Sequence, residues 1–225
     1  MDILAEPSPN LIRHLEIPAG DVSLPGEFAL PRGAHGIVLF AHGSGSSRLS
    51  PRNAFVARVL REAGFGTLLF DLLTEDEDID SANRFEIDLI TDRLSRATRS
   101  LAKMPEARHH ALGYFGASTG AAAAIKAAAI PGGEKIGAVV SRGGRPDLAE
   151  ASLGRVTAPT LLIVGERDEF VLRLNRDAYR KMTCTKRIEI VPGATHLFEE
   201  AGALEGVAKL AADWFRRHLA DTLAA

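Results

Sequence analysis

Five residues at positions 116–120, with the sequence GASTG, separate a stretch typical of a buried strand from a stretch typical of a helix. Residues 111–115 are apolar and aromatic, whereas residues 121–129 are almost all alanine, the strongest helix former. A strand, a sharp Gly-x-Ser-x-Gly turn and a helix form the context in which a serine hydroxyl is exposed as a nucleophile. The helix N-terminus also directs unpaired N–H groups at the turn. The pattern therefore predicts Ser118 as a nucleophile, the alternative being a structural serine in a glycine-rich turn.

The remaining segments predict one α/β domain over residues 1–225. Apolar runs that predict strands alternate with amphipathic stretches that predict helices, which is typical of βαβ units and a mainly parallel sheet. An antiparallel hairpin is expected at the start of the chain. The predicted strands are 12–17, 22–30, 36–41, 65–70, 111–115, 136–140, 160–164 and 186–191. The predicted helices are 52–63, 84–104, 121–129, 145–153, 170–182 and 204–223.

Composition excludes several classes of function. The 225 residues carry a formal net charge of −2 and show no basic stripe, so we expect no nucleic-acid partner. The longest apolar run, near residues 121–130, is too short to cross a bilayer, and no signal peptide is visible, so we expect no membrane partner. The single cysteine, Cys184, fits a reducing compartment, and cytoplasmic localisation is the expectation.

A serine nucleophile needs a base, and the base needs a carboxylate that fixes its tautomer. In doubly wound sheets such groups collect at the carboxyl ends of the strands. Asp168 follows the strand predicted at 160–164, and His196 follows the strand predicted at 186–191. The resulting chain order of Ser118, Asp168 and His196 is associated with one particular fold. The alternatives are that Asp168 is only a helix N-cap and that His196 is only a turn histidine.

Four short segments, each after a predicted strand, together resemble the α/β-hydrolase superfamily and, within it, the dienelactone hydrolase-like group. They are HGSG at 42–45, GASTG at 116–120, GERD at 165–168 and ATH at 194–196. The resemblance extends from about residue 36 to residue 219. It implies that Ser118 is the nucleophile, His196 the general base and then acid, and Asp168 the orienting carboxylate. It also implies a sheet of about seven or eight strands, helices on both faces and no large cap domain.

The founding dienelactone hydrolases have a Gly-x-Cys-x-Gly turn, whereas this chain has Ser118, so a general ester is expected rather than the lactone. In this fold the oxyanion hole uses N–H groups from the residue after the nucleophile and from the loop after the third strand, which implies Thr119 and Ser44. The alternative for residues 43–47 is a phosphate cradle, but the P-loop lysine is missing. Neither a cofactor nor a metal is expected, because no ligand spacing is visible.

Several other polar residues have competing interpretations. Asp71 and Asp147 also follow strands and are rival acids, and His42 is interpreted as a loop-shaping residue. Residues 74–80 form a dense acidic run, interpreted as a solvated loop or as a mobile rim that disfavours anionic substrates. Three arginines near the predicted site either bind a substrate carboxylate or pair with nearby acids such as Asp147. They are Arg48, Arg142 and Arg145.

The sequence therefore predicts a serine hydrolase that cleaves small carboxylic esters through an acyl-enzyme. The alternatives are an acyltransferase, thioesterase or haloperoxidase-like enzyme on the same triad, or a non-catalytic binding or regulatory protein. The expected partner is a small-molecule ester, and the chain is expected to be a monomer or a homodimer. Leu219 and Leu223, on the last predicted helix, form either a dimer contact or a packed face.

Overall fold

The structure of the protein is a computed structural model, and it describes residues 11–219. Eight strands form one sheet in the order β1-β2-β4-β3-β5-β6-β7-β8. The first two strands form an antiparallel hairpin, β2 pairs antiparallel with β4, and all the later pairs are parallel. The strands are β1 Leu11–Pro18, β2 Ser23–Leu30, β3 Ile37–Ala41, β4 Gly66–Phe70, β5 Leu112–Ala117, β6 Ile136–Arg142, β7 Thr160–Gly165 and β8 Lys186–Val191.

Helices cover both faces of the sheet, so the central strands are buried on both sides, as near-continuous apolar sequences require. The helices are α1 Pro51–Glu62, α2 Glu75–Ile79, α3 Ile87–Ala102, α4 Thr119–Ala128, α5 Glu150–Leu153, α6 Glu169–Lys181 and α7 Ala203–Leu219. Short 3₁₀ turns span Ser81–Phe85 and Pro146–Ala149. The predicted mostly parallel α/β sheet is confirmed.

Alternation along the strands divides the core into two layers. Val38 and Val140 point to the face that α1 and α7 cover, where they join a cluster containing Phe215. Their neighbours Leu39 and Val139 point to the opposite face, which α3, α4 and α6 cover. The carboxyl ends of the parallel strands consequently open between two helical layers, and the functional loops lie at that edge.

Three predictions of secondary structure needed correction. The helix expected at 84–104 begins at Ile87, because a 3₁₀ turn occupies Ser81–Phe85. The acidic run, expected as a loop, contains the short helix α2, and Thr74 caps it in a reciprocal bond pair with Glu77. The predicted helix at 145–153 divides into a 3₁₀ turn and α5. The end of the last predicted helix, including Leu223, lies outside the described residues.

Candidate active site

Ser118 occupies the sharp turn between β5 and α4. Its φ of 51° and ψ of −119° are unusual for a residue with a side chain, and they hold the serine out of both flanking elements. Gly120 makes this geometry possible, because a Cβ there would collide with the carbonyl oxygens of Ala41 and His42 at the end of β3. The helix therefore begins close against the neighbouring strand, with its positive end at the serine.

Asp168 and His196 are hydrogen bonded to each other. Asp168 Oδ2 lies 2.6 Å from His196 Nδ1, and the carboxylate is much less exposed than the imidazole, with side-chain exposures of 13% and 39%. The two loops can approach because Gly165 carries no side chain: a Cβ there would overlap the carbonyl oxygens of Ala194 and Thr195. An ionised carboxylate can only accept, so this contact places the proton on Nδ1 and leaves Nε2 as the basic nitrogen.

The end of β6 connects the serine to the histidine. The backbone N–H of Ser118 donates to the carbonyl of Arg142 at 3.2 Å. The next residue, Gly143, lies against the imidazole, since a Cβ there would be 3.4 Å from His196 Nδ1. Within residues 11–219, Ser118 Oγ has no hydrogen-bond partner. Catalytic hydrogen bonds are often long until a substrate binds.

The loop after β3 faces the serine from the other side. A Cβ at Gly43 would lie 3.1 Å from Ser118 Cβ, so this loop passes directly beside the nucleophile. The N–H of Ser44 donates to Thr119 Oγ1 at 2.9 Å, and Thr119 is buried. The loop also borders a narrow cleft, whose other walls include Leu73 and Arg84. Ser44 and Thr119, predicted on separate segments, are therefore brought together.

His42 shapes that loop, as its interpretation predicted. Its Nε2 accepts the backbone N–H of Leu72 at 3.0 Å, and its Nδ1 lies 3.0 Å from the carbonyl oxygen of Gly43. These partners require the neutral imidazole with its proton on Nδ1. Burial lowers the pKa of His42, because the charged form would lose its hydration. The neutral ring thus connects the loop after β3 to the loop after β4.

The three predicted substrate arginines have different surroundings. Arg48 pairs with Asp71, and Arg145 pairs with Asp147 through two hydrogen bonds of 2.9 and 2.7 Å. The pairing raises the pKa of Arg145. These contacts favour the alternative interpretation for those two arginines, and they also occupy both rival acids. Of these three arginines, only Arg142 has buried nitrogens, Nε and Nη1, for which no described residue is a hydrogen-bond partner.

Arginines pair with two of the acidic side chains in the acidic run. Glu77 pairs with Arg93 at 2.6 Å, and Asp78 pairs with Arg84 at 2.7 Å. Ion pairs therefore hold this part of the run in place beside the cleft, which differs from the mobile rim that was one of its two interpretations. Residues 11–219 contain no cluster of three or more His, Cys, Asp and Glu side chains placed to hold a metal ion. Within the same range, no helix has the length and apolarity needed to cross a membrane.

The fold and the site together define an α/β hydrolase. Its strand order, the turn at Ser118 and the bonded pair of Asp168 and His196 at the same sheet edge match what the sequence resemblance implies. Residues 25–223 match the dienelactone hydrolase family. The chain belongs to the dienelactone hydrolase family.

Individual relatives agree on the fold and differ in their names. A dienelactone hydrolase from Anabaena variabilis is 52% identical, with a TM-score of 0.90 over 93% of this chain and 99% of that chain. Est1E from Butyrivibrio proteoclasticus, solved with ferulic acid bound, is 15% identical, with a TM-score of 0.79 over 92% of this chain and all of that one.

A Mycobacterium tuberculosis protein provisionally named a phosphoribosyl transferase is 55% identical over 219 residues. The aligned region is 97% of this chain and 49% of that protein. The chain therefore spans about half the length of this curated relative.

Proposed function

We propose that the protein is a serine hydrolase that cleaves small carboxylic esters. The observation that carries the proposal is the 2.6 Å bond between Asp168 and His196, at the sheet edge where Ser118 is held in a strained turn. A carboxylate on Nδ1 orients the imidazole and stabilises its cation, and that is the support a serine nucleophile requires. Membership of a hydrolase family agrees with this chemistry.

In the proposed mechanism, His196 Nε2 takes the proton of Ser118 as the hydroxyl oxygen attacks the ester carbonyl. The tetrahedral oxyanion accepts hydrogen bonds from the N–H groups of Thr119 and Ser44. The protonated imidazole then donates to the leaving alcohol, and the C–O bond to the alcohol breaks to give an acyl-enzyme. His196 next activates a water molecule, whose attack releases the acid and restores Ser118.

The provisional transferase name belongs to a relative about twice as long as this chain. Hydrolysis is supported by the serine turn and the histidine–aspartate pair, because these groups can transfer an acyl group first to the serine and then to water. An acyltransferase would use the same groups, so acceptor preference separates the two. Product analysis with an added alcohol or amine, in competition with water, makes that distinction: a hydrolase releases mainly the free acid.

The direct test is hydrolysis of 4-nitrophenyl esters from acetate to octanoate by the wild type and by Ser118→Ala. The matched control is Ser95→Ala, because Ser95 lies on α3 and its hydroxyl only bonds the carbonyl of Thr91. We expect turnover in the wild type and control, and loss of at least about 10³-fold in Ser118→Ala. A fluorophosphonate label should be found on Ser118. Label on another residue, or equal turnover in Ser118→Ala, would refute the proposal.

A further inference from the structure

Arg142 is a buried cation without a counter-ion in the described part of the chain. The residue is only 8% exposed, and neither Nε nor Nη1 has a hydrogen-bond partner there. Burying an unpaired charge is costly, so folded proteins normally give such a group an acid. The other two predicted substrate arginines follow that rule through Asp71 and Asp147. Arg142 does not.

The position of Arg142 directs its side chain to one region. Val140, two residues earlier on β6, packs in the layer between the sheet and α1 and α7, and alternation places Arg142 on the same face. The backbone of Arg142 meanwhile accepts the N–H of Ser118. The backbone of Arg142 therefore adjoins the nucleophile, and its side chain lies on the face of the sheet that α1 and α7 cover.

That region carries further positive charge. Arg52 is in the first turn of α1, and its Nε is also buried and unpartnered within the described chain. Its Nη1 lies 3.2 Å from Glu199, whose side chain is 65% exposed, so this acid shields Arg52 only weakly. The twelve-residue helix has no acid in its first turn, so its positive end is not offset there. Burial and Arg52 lower the pKa of Arg142 to about 10, which leaves it protonated at neutral pH.

We propose that Arg142 and Arg52 form a subsite, beside Ser118, for an oxyanion group of the substrate, either a carboxylate or a phosphate. This inference rests on the proposed hydrolase function and names its substrate class: anionic esters. Two guanidinium groups and a helix N-terminus repel one another when empty and attract a bound anion, and guanidinium geometry suits planar or tetrahedral oxyanions. The empty site is thus destabilised in favour of binding.

A binding experiment tests the subsite without requiring turnover. Thermal unfolding is measured in inorganic phosphate, in succinate and in sodium chloride at equal ionic strength. We expect one of the two oxyanions to raise the wild-type Tm above the chloride value, and the better of them identifies the preferred group. The increase should disappear in Arg142→Met and weaken in Arg52→Met. It should persist in Arg58→Met, because Arg58 is on the same helix but pairs with Glu62 on the surface.

The same variants separate a binding role from a structural one. Removing an unpaired buried charge relieves repulsion, so Arg142→Met in chloride should have a Tm equal to or above that of the wild type. A lower Tm in chloride, or an equal oxyanion effect in the wild type and Arg142→Met, would overturn the subsite. If Arg142→Met does not fold, Arg142→Lys and Arg52→Met decide the question by the same oxyanion dependence.

A kinetic experiment tests whether the anion that binds the subsite is part of the substrate. Mono-4-nitrophenyl succinate is compared with 4-nitrophenyl butyrate, and 4-acetoxybenzoate with phenyl acetate, so that the charge lies on the acyl or the alcohol side. For at least one pair, Arg142→Met should reduce the ratio of kcat/KM for the anionic and neutral esters by about 10- to 100-fold. Unchanged ratios in both pairs would contradict the inference while leaving ester hydrolysis intact. Absence of wild-type turnover would instead contradict the proposed function, and the binding experiment would still decide the subsite.

Discussion

The backbone N–H of Ser44 donates to Thr119 Oγ1 at 2.9 Å, across 75 positions of the chain. This bond ties the loop after β3 to the first residue of α4, next to Ser118. It also means that one proposed oxyanion donor already has an acceptor in the resting enzyme. The hydroxyl of Thr119 keeps the loop in place and must share the Ser44 N–H with the oxyanion when charge develops.

Replacing Thr119 tests that arrangement. Thr119→Val keeps the shape of the side chain but removes the acceptor for Ser44, so the loop loses its anchor. We expect kcat on a 4-nitrophenyl ester to fall about 3- to 10-fold, the equivalent of one neutral hydrogen bond. Thr119→Ser, which retains the hydroxyl, should recover most of the activity. A rise in kcat for Thr119→Val would show that the hydroxyl obstructs the hole instead.

The bond between Asp168 and His196 gives a second prediction. Asp168→Asn preserves size but removes the negative charge that stabilises the imidazolium, so kcat should fall by about 10³-fold or more. Asp147→Asn is the matched control, because Asp147 also follows a strand but pairs with Arg145. Steady-state kinetics should place its loss within about 10-fold. Comparable losses in the two variants would argue against Asp168 as the orienting carboxylate.

Local signals in the sequence were sufficient for the elements that position this site. The glycines around Ser118 predict the turn because a Cβ at Gly116 would overlap the backbone of Gly120 and Ala121, a requirement that is local to the strand–turn–helix unit. The capping pair of Thr74 and Glu77 was also visible as a T-x-x-E pattern, yet the density of acidic residues suggested a loop. The sequence prediction missed α2 because it followed the density of acidic residues and not the capping pattern.

Ion pairing could not be predicted in the same way. Arg48, Arg142 and Arg145 all follow predicted strands, and the sequence places the same acid, Asp147, near two of them, Arg142 and Arg145. Only the folded arrangement shows that Asp71 and Asp147 pair with Arg48 and Arg145, and that Arg142 Nε and Nη1 have no partner among the described residues. Arg52 was missed entirely, because a basic residue in a first helical turn is ordinary until a second buried cation lies near it. Such relationships depend on long-range packing that periodicity does not encode.

Gly165 gives a third prediction, about how the histidine loop is positioned. Gly165→Ala would place a methyl group into the carbonyls of Ala194 and Thr195, which directly precede His196. We expect a loss of about 1–3 kcal/mol in the free energy of unfolding, as for other overpacked sites, and a larger proportional loss in kcat. Urea denaturation and ester kinetics measure the two effects.

The control for that variant is Gly154→Ala. A Cβ at Gly154 would have no atom within 4 Å except the carbonyl of Lys181 at 3.9 Å, and the glycine has an ordinary helical φ of −79°. Stability and kcat should both stay near the wild-type values. If Gly165→Ala behaves like this control, the loop tolerates displacement, and the tight contact is not what positions His196.

His42 gives a prediction about pH. Its pKa is lowered in the folded protein, so between the folded pKa and the ordinary value of about 6.5 the unfolded chain binds more protons. The stabilisation from the neutral ring is therefore complete above about pH 6.5 and declines as the pH falls toward the folded pKa. Protonating Nε2 would also break its bond from the Leu72 N–H, because the charged ring cannot accept there.

His42→Ala removes this contribution, so the variant should be less stable than the wild type at pH 7.5, and the difference should shrink at pH 5.5. Urea denaturation at both values measures the free energies. His14→Ala, at an exposed position on β1, controls for general effects of losing a histidine. A difference between wild type and His42→Ala that stays constant with pH would mean that the ring remains neutral or charged throughout, and that the bond to Leu72 is not under proton control.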